Sequence, residues 1–138
     1  MDSIIAGIKA YISSCSALSS IKVGKRFIDW TDESDSYGIM PDGEKQLRRF
    51  ITGGGKYQYN FTLYIKKLNK GDAQLLSNAE LLENVQNWCR GNNRKRLYPE
   101  LPTGCTCTDI TATNGGLIDT GEKNNTYQIQ FTMLYTKG

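Results

Sequence analysis

Four cysteines, Cys15, Cys89, Cys105 and Cys107, are the residues of this sequence best suited to metal or redox chemistry. Cys105 and Cys107 are two apart in a Thr-rich segment, and in an extended chain that spacing projects both thiols to one side. A structural zinc ion needs four ligands. The remaining two cysteines fit the apolar stripes of predicted helices, where a free cysteine behaves as a small hydrophobe. Core or surface thiols are therefore expected, with no metal. No secretory signal is expected either, because residues Met1 to Ile5 lack a basic segment and Gly7 and Lys9 interrupt the first apolar run. Reduced cysteines follow, since a chain of this size folds without disulfide staples.

The 138 residues include no histidine, which removes the commonest general base and Ser–His or Cys–His dyads with it. Asp32, Glu33 and Asp35 are close in sequence, but they stand in a polar run with nothing apolar to raise a carboxyl pKa. They read as a solvated acidic loop. Gly53-Gly54-Gly55-Lys56 lacks Walker spacing and joins two predicted strands, so it reads as a flexible hairpin tip. Neither catalysis nor a cofactor is expected from these residues.

Basic residues cluster at Lys25-Arg26, at Arg48-Arg49 and at Arg94-Lys95-Arg96. Beside tyrosines such clusters can hold single-stranded nucleic acid. Here the aromatic residues fall mostly on predicted buried faces, and the net charge is only +3, from 17 Lys and Arg against 14 Asp and Glu. A solvated or protein-facing role is the stronger expectation, with a small nucleic-acid-binding module as an alternative.

These residues need positioning elements. Ile4, Ile8 and Ile12, with Ile5 and Cys15 nearby, predict an amphipathic helix over 3–15, capped by Asp2 or Ser3. Ile21 and Val23 lie on one strand face and Ile28 and Trp30 on the other, so a bulge is expected near Lys25-Arg26. Residues 37–43 read as a loop around a short edge strand, and 46–52 as a strand paired in a hairpin with 57–68.

The strand over 57–68 has the clearest pattern: Tyr57, Tyr59, Phe61, Leu63 and Ile65 alternate with mostly polar residues. Tyr127, Ile129, Phe131, Met133 and Tyr135 repeat that alternation, so the two strands are expected side by side at the centre of one sheet. A second helix is predicted between Asp72 and Arg90 from Leu75, Ala79, Leu82 and Cys89, widened by Leu81, Val85 and Trp88. Ser77-x-x-Glu80 fits a capping box, which would start the regular helix at Ser77, and Gly91 would stop it. Beyond an exposed linker over 92–104, residues 105–113 form a Thr-rich strand, Asn114-Gly115-Gly116 a turn and 117–119 a short return.

The expected fold is α+β: one mainly antiparallel sheet with two principal helices packed on one face, in a single domain over 1–138. No run approaches the roughly 20 apolar residues of a membrane span, so no membrane contact is expected.

One resemblance adds to this reading. The succession Asn78-Ala79-Glu80-Leu81-Leu82-Glu83-Asn84-Val85-Gln86-Asn87-Trp88, a Pro-bearing linker, a Thr-rich strand, Gly116-Leu117-Ile118-Asp119 and the ending Tyr127-Gln128-Ile129-Gln130-Phe131 resembles the tail-terminator proteins of bacterial viruses, also called minor capsid or tail-completion proteins. The similarity covers roughly residues 45–137.

It implies a homo-oligomeric ring, usually a hexamer, on the head-proximal end of the tail tube. Such a ring stops tube growth and presents a surface to the neck, and in contractile tails it also meets the sheath protein. Phage-tail-like bacteriocins use the same part. The resemblance implies assembly in the cytoplasm of the bacterial host, and a related head-tail connector or neck protein is the neighbouring alternative. In the ring, Arg48, Arg49, Lys56, Arg94, Lys95 and Arg96 are the candidates to contact acidic partner surfaces or to line a lumen through which DNA passes.

Overall fold

The computed structural model describes residues 3–15, 22–23, 36–68, 72–120 and 124–138. Helix α1 spans Ile4–Ser13. The Ser3 hydroxyl accepts the Ala6 N–H at 3.1 Å and so satisfies one of the open donors of the first turn. Ile8, Tyr11 and Ile12 are buried on one stripe, continued by Cys15. At the far end the hydroxyls of Ser13 and Ser14 bond back to the carbonyls of Lys9 and Tyr11, where such bonds compete with further helix.

The strands are β1 (Lys22–Val23), β2 (Ser36–Arg49), β3 (Gly55–Leu68), β4 (Cys105–Thr120) and β5 (Asn124–Lys137), and α2 spans Asp72–Arg94 between β3 and β4. They form one sheet in the order β1-β2-β3-β5-β4. Every pairing is antiparallel except that of β1 with β2. The protein is thus α+β with a mainly antiparallel sheet, and the two strands with the clearest alternation are its centre.

Pairing of β3 with β5 runs without a register shift from Gly55↔Lys137 to Leu68↔Asn124. Phe61 meets Phe131 and Tyr57 meets Tyr135 as direct cross-strand partners, with ring centroids 4.8 Å and 5.3 Å apart. The odd-numbered side of β3 and β5 is the core: Phe61, Leu63, Ile65, Ile129, Phe131 and Met133 are buried there with Ile8 and Ile12 of α1 and Leu82, Val85 and Cys89 of α2. Burying these side chains together stabilises the fold by about 1.5–3 kcal/mol each.

Several boundaries differ from the sequence-based expectation. Residues 37–43 are part of β2 and not a loop, and the strand ends at Arg49. Pro41 is tolerated beside a bulge on a strand whose other neighbour, β1, reaches only Ser36 and Tyr37.

The Asn114-Gly115-Gly116 turn is also replaced, because β4 runs through it to Thr120. Three register shifts, one of them between Thr113 and Gly116, absorb its extra residues. At this bulge a Cβ on Gly115 would crowd only the far end of the Gln86 side chain of α2, which glycine leaves in place.

Helix α2 begins at Asp72, not at the Ser77 capping box, because the intervening residues are already helical. Ala79 is exposed, and Asn78 takes its place on the buried stripe with Leu82, Val85 and Cys89. The Asn78 amide donates to the Tyr127 hydroxyl at 2.9 Å, which allows a polar side chain there.

Nor does Gly91 stop the helix. Arg96, at φ 60°, adopts the left-handed turn that glycine usually supplies. Its own N–H and that of Leu97 bond back to the Asn93 and Asn92 carbonyls, closing the last turn. The predicted bulge at Lys25-Arg26, the strand positions Ile28 and Trp30, and the acidic trio Asp32, Glu33 and Asp35 lie outside the described residues.

Candidate assembly surfaces

Strand alternation divides the six candidate basic residues between two sides of the sheet. Lys56 is even-numbered on β3 and so projects away from the helices, and Arg48 faces it as its direct cross-strand partner. Arg49 lies opposite Gly55, one step on, and so projects to the helix side. Arg94 ends α2 on the helix side, with Lys95 and Arg96 in the turn that follows. The sequence groups these six as one set, but the fold makes two clusters of three: one at the β2–β3 hairpin tip and one at the C-terminal end of α2.

At the tip, Gly53 N–H donates to the Phe50 carbonyl and Phe50 N–H to the Gly54 carbonyl, each at 3.2 Å, so the chain reverses within a few residues. Gly53 and Gly54 both have positive φ, and a Cβ on Gly54 would collide with the Lys137 carbonyl. The Gly53-Gly54-Gly55-Lys56 segment is therefore the expected hairpin tip, packed against the end of β5. Directly opposed like charges such as Arg48 and Lys56 repel.

The acids of β2 do not relieve that repulsion. Asp42 accepts a hydrogen bond from the Thr62 hydroxyl, and Glu44 accepts one from the Tyr135 hydroxyl. Leu47 is 43% exposed and Ile51 fully exposed, so the tip presents apolar as well as basic groups to its surroundings.

Beyond the tip, the side of the sheet that faces away from the helices is mostly polar and carries Asp42, Lys45, Lys66 and Asp109. Asn60 accepts from Gln58 at 3.3 Å and from Thr132 at 3.2 Å across the β3–β5 pair. Asp42, Asn60, Thr62, Tyr64, Gln128 and Gln130 line a shallow groove of about 370 Å³ on this side. On the helix side, a second groove of about 550 Å³ opens between α1 and the end of α2, where Arg96, Asn92, Tyr98 and Glu100 surround the Tyr11–Trp88 ring pair. Burial pushes the Tyr11 phenol far above its usual range, so it stays neutral.

Cys105 and Cys107 project to the helix side, as their spacing predicts, opposite Lys137 and Tyr135. Among the described residues, no group of three or more Cys, Asp or Glu is placed to hold a metal ion, and none of the four cysteines forms a disulfide. The Cys89 thiol donates to the Ile110 carbonyl at 3.8 Å. Burial, followed by the nearby Asp109 and Cys15, holds its pKa up at about 11. Cys107 is likewise raised to about 11, mainly by burial. Neither is a nucleophile near neutral pH.

Among the described residues, no helix is long and apolar enough to cross a membrane. The exposed apolar residues Leu47 and Ile51 were missed as surface features in the sequence. A strand pattern alone does not tell a buried alternation from one that overruns the core into a projecting hairpin. No family model and no curated protein matches this chain.

Proposed function

We propose that this chain is the subunit of a ring that caps the head-proximal end of a phage or phage-like tail tube. The ring ends tube growth and forms the joining surface for the neck, and for the sheath where the tail contracts. The partners are then further copies of the same chain, six in the usual ring, together with the tail-tube protein and the neck protein.

The observation that supports the reading is the way the sheet is dressed. One side is sealed by α1 and α2, while the other is a polar Asn, Gln and Thr surface running out to an exposed basic and apolar hairpin tip. Surface of that kind suits repeated protein contacts, because a heterologous interface repeated about an axis closes a ring and leaves two different faces for different partners. The basic clusters fit the same picture as contacts to acidic neighbours or as lumen residues along a DNA path.

Adding the protein to polymerising tail-tube subunits tests the proposal. Tube length is expected to fall as the protein-to-tube ratio rises. Tubes whose length ignores the protein at saturating ratios would count against it.

A further inference from the structure

We infer that the β2–β3 hairpin tip is the foot on which this chain seats on the tail tube: Ile51 enters an apolar recess at the tube's end, and Arg48, Arg49, Lys56 and Lys137 meet carboxylates around it. This deepens the ring reading and rests on it.

The tip is built as a preordered knob. Leu47 falls in the register shift between Gln46 and Arg48, where a bulge re-aims the strand, and it is 43% exposed. Ile51 is fully exposed at the apex. Phe50 bonds through its backbone to both Gly53 and Gly54, Gly54 lies against the Lys137 carbonyl, and the Gly138 N–H donates to the Gly104 carbonyl at 3.2 Å. A knob held in this way loses little conformational freedom on docking.

Charge gathers at its base. Lys56 has Arg48 as its cross-strand partner on the side of the sheet away from the helices. On the other side Arg49 and Lys137 share a row with Gly55 between them, which has no side chain to separate them. Four cations thus surround the knob, while the acids of β2, Asp42 and Glu44, are engaged by the Thr62 and Tyr135 hydroxyls. Like charges held so close repel, and an anionic partner surface relieves that repulsion.

The second basic cluster lies at the same end of the sheet. α2 runs from Asn78, bonded to Tyr127 in the row of Ile65, to Asn93, whose side chain accepts the Ile110 N–H in the row of Met133 and Tyr59. The helix therefore heads towards the hairpin end, where Arg94, Lys95, Arg96 and the 56%-exposed Leu97 follow. Glu100 borders the same groove as Arg96 and offsets only part of this charge.

The mixture of groups selects among partners. Leu47 and Ile51 offer nothing to phosphates, and Tyr57 stacks on Tyr135 in place of a base, so DNA fits this end poorly. A second copy also fits poorly, because the groove over Tyr11 and Trp88 is bordered by Arg96 and the groove on the outer side of the sheet is polar. An apolar anchor inside a rim of charge is the pattern of a protein contact, in which the rim keeps water from the anchor. The matching surface is a recess floored by apolar side chains and rimmed by Asp and Glu. In the ring reading that recess belongs to the tube, because a cap must out-compete incoming tube subunits and so needs the chain's best-anchored surface there.

Photo-crosslinking and binding to purified tail tubes test the assignment, on variants shown to be folded by circular dichroism and melting. A benzophenone side chain at position 51 is expected to link to the tube protein beside acidic residues. Ile51→Asp and Arg48→Glu/Lys56→Glu are each expected to weaken tube binding about tenfold or more. Lys9→Glu, an exposed charge change on α1, should leave binding within about twofold. Rising salt should weaken wild-type binding and affect Arg48→Glu/Lys56→Glu less. Crosslinks to a second copy, or folded tip variants that bind tubes like wild type, overturn the assignment and leave the ring reading standing. Wild-type binding to DNA or to phosphatidylglycerol vesicles more tightly than to tubes, lost in the same tip variants, does so too. Wild-type protein that does not bind tube ends overturns both.

Discussion

The rings of Phe61 and Phe131 stack at 4.8 Å and within 5° of parallel across the two central strands, and both side chains are sealed from solvent by the helices. Everything that positions the candidate surfaces is built outward from that pair. Phe131→Ala is expected to lower stability by about 3–5 kcal/mol, and a double-mutant cycle with Phe61→Ala to show about 0.5–1.5 kcal/mol of coupling. Urea unfolding of the four proteins measures both quantities.

Gly7 is the point where the segment before β4 crosses α1, and a Cβ there would drive into the Glu100 carbonyl. Because the obstacle is backbone and not a flexible side chain, Gly7→Ala should cost about 1–3 kcal/mol. Amide exchange should show the loss first around residues 98–101. A variant as stable as wild type would mean that this crossing is loose.

Gly91 is the converse case: it sits inside α2, and a Cβ added to it meets nothing within 4 Å. Gly91→Ala should raise stability by about 1 kcal/mol through helix propensity. Arg96→Gly should likewise gain up to about 1 kcal/mol by relieving the left-handed backbone. Thermal melts at fixed pH read both effects, and neither change touches the core.

Cys89 and Cys107 both have pKa values raised from 9.0 to about 11 in the fold. Above the unfolded-state value the unfolded chain loses thiol protons that the folded chain keeps. Stability contributed by these thiols is therefore complete below about pH 9 and declines as pH rises towards about 11. The slope is at most about 1.4 kcal/mol per pH unit for each thiol. Cys89→Ala should flatten the alkaline limb of the stability curve, whatever it costs at neutral pH. Alkylation at pH 8 should label the partly exposed Cys105 well before Cys15, Cys89 or Cys107.

The central strands were legible because strict alternation over Tyr57 to Ile65 and over Tyr127 to Tyr135 fits only a sheet buried on one side. Their mutual pairing followed from the matching lengths of the two patterns. The ends of elements were not legible. Asn114-Gly115-Gly116 gives the same local signal for a hairpin turn as for a bulge, and the length of β5, which pairs with β4 on both sides of the shift, decides between them.

Asn78 displaced Ala79 from the buried stripe because its partner, Tyr127, is 49 residues away. No local window contains that hydrogen bond. The six basic candidates were each identifiable as exposed or half-exposed. Their division between two sides was hidden, because it depends on strand parity at the hairpin and on α2 running past Gly91.

Electron microscopy of tail tubes incubated with the purified protein tests the ring directly. The account predicts a single closed ring, six-fold in the usual case, on the head-proximal end of each tube and none on the opposite end. Bare tube ends, with the protein left monomeric in solution at saturating concentration, would contradict it.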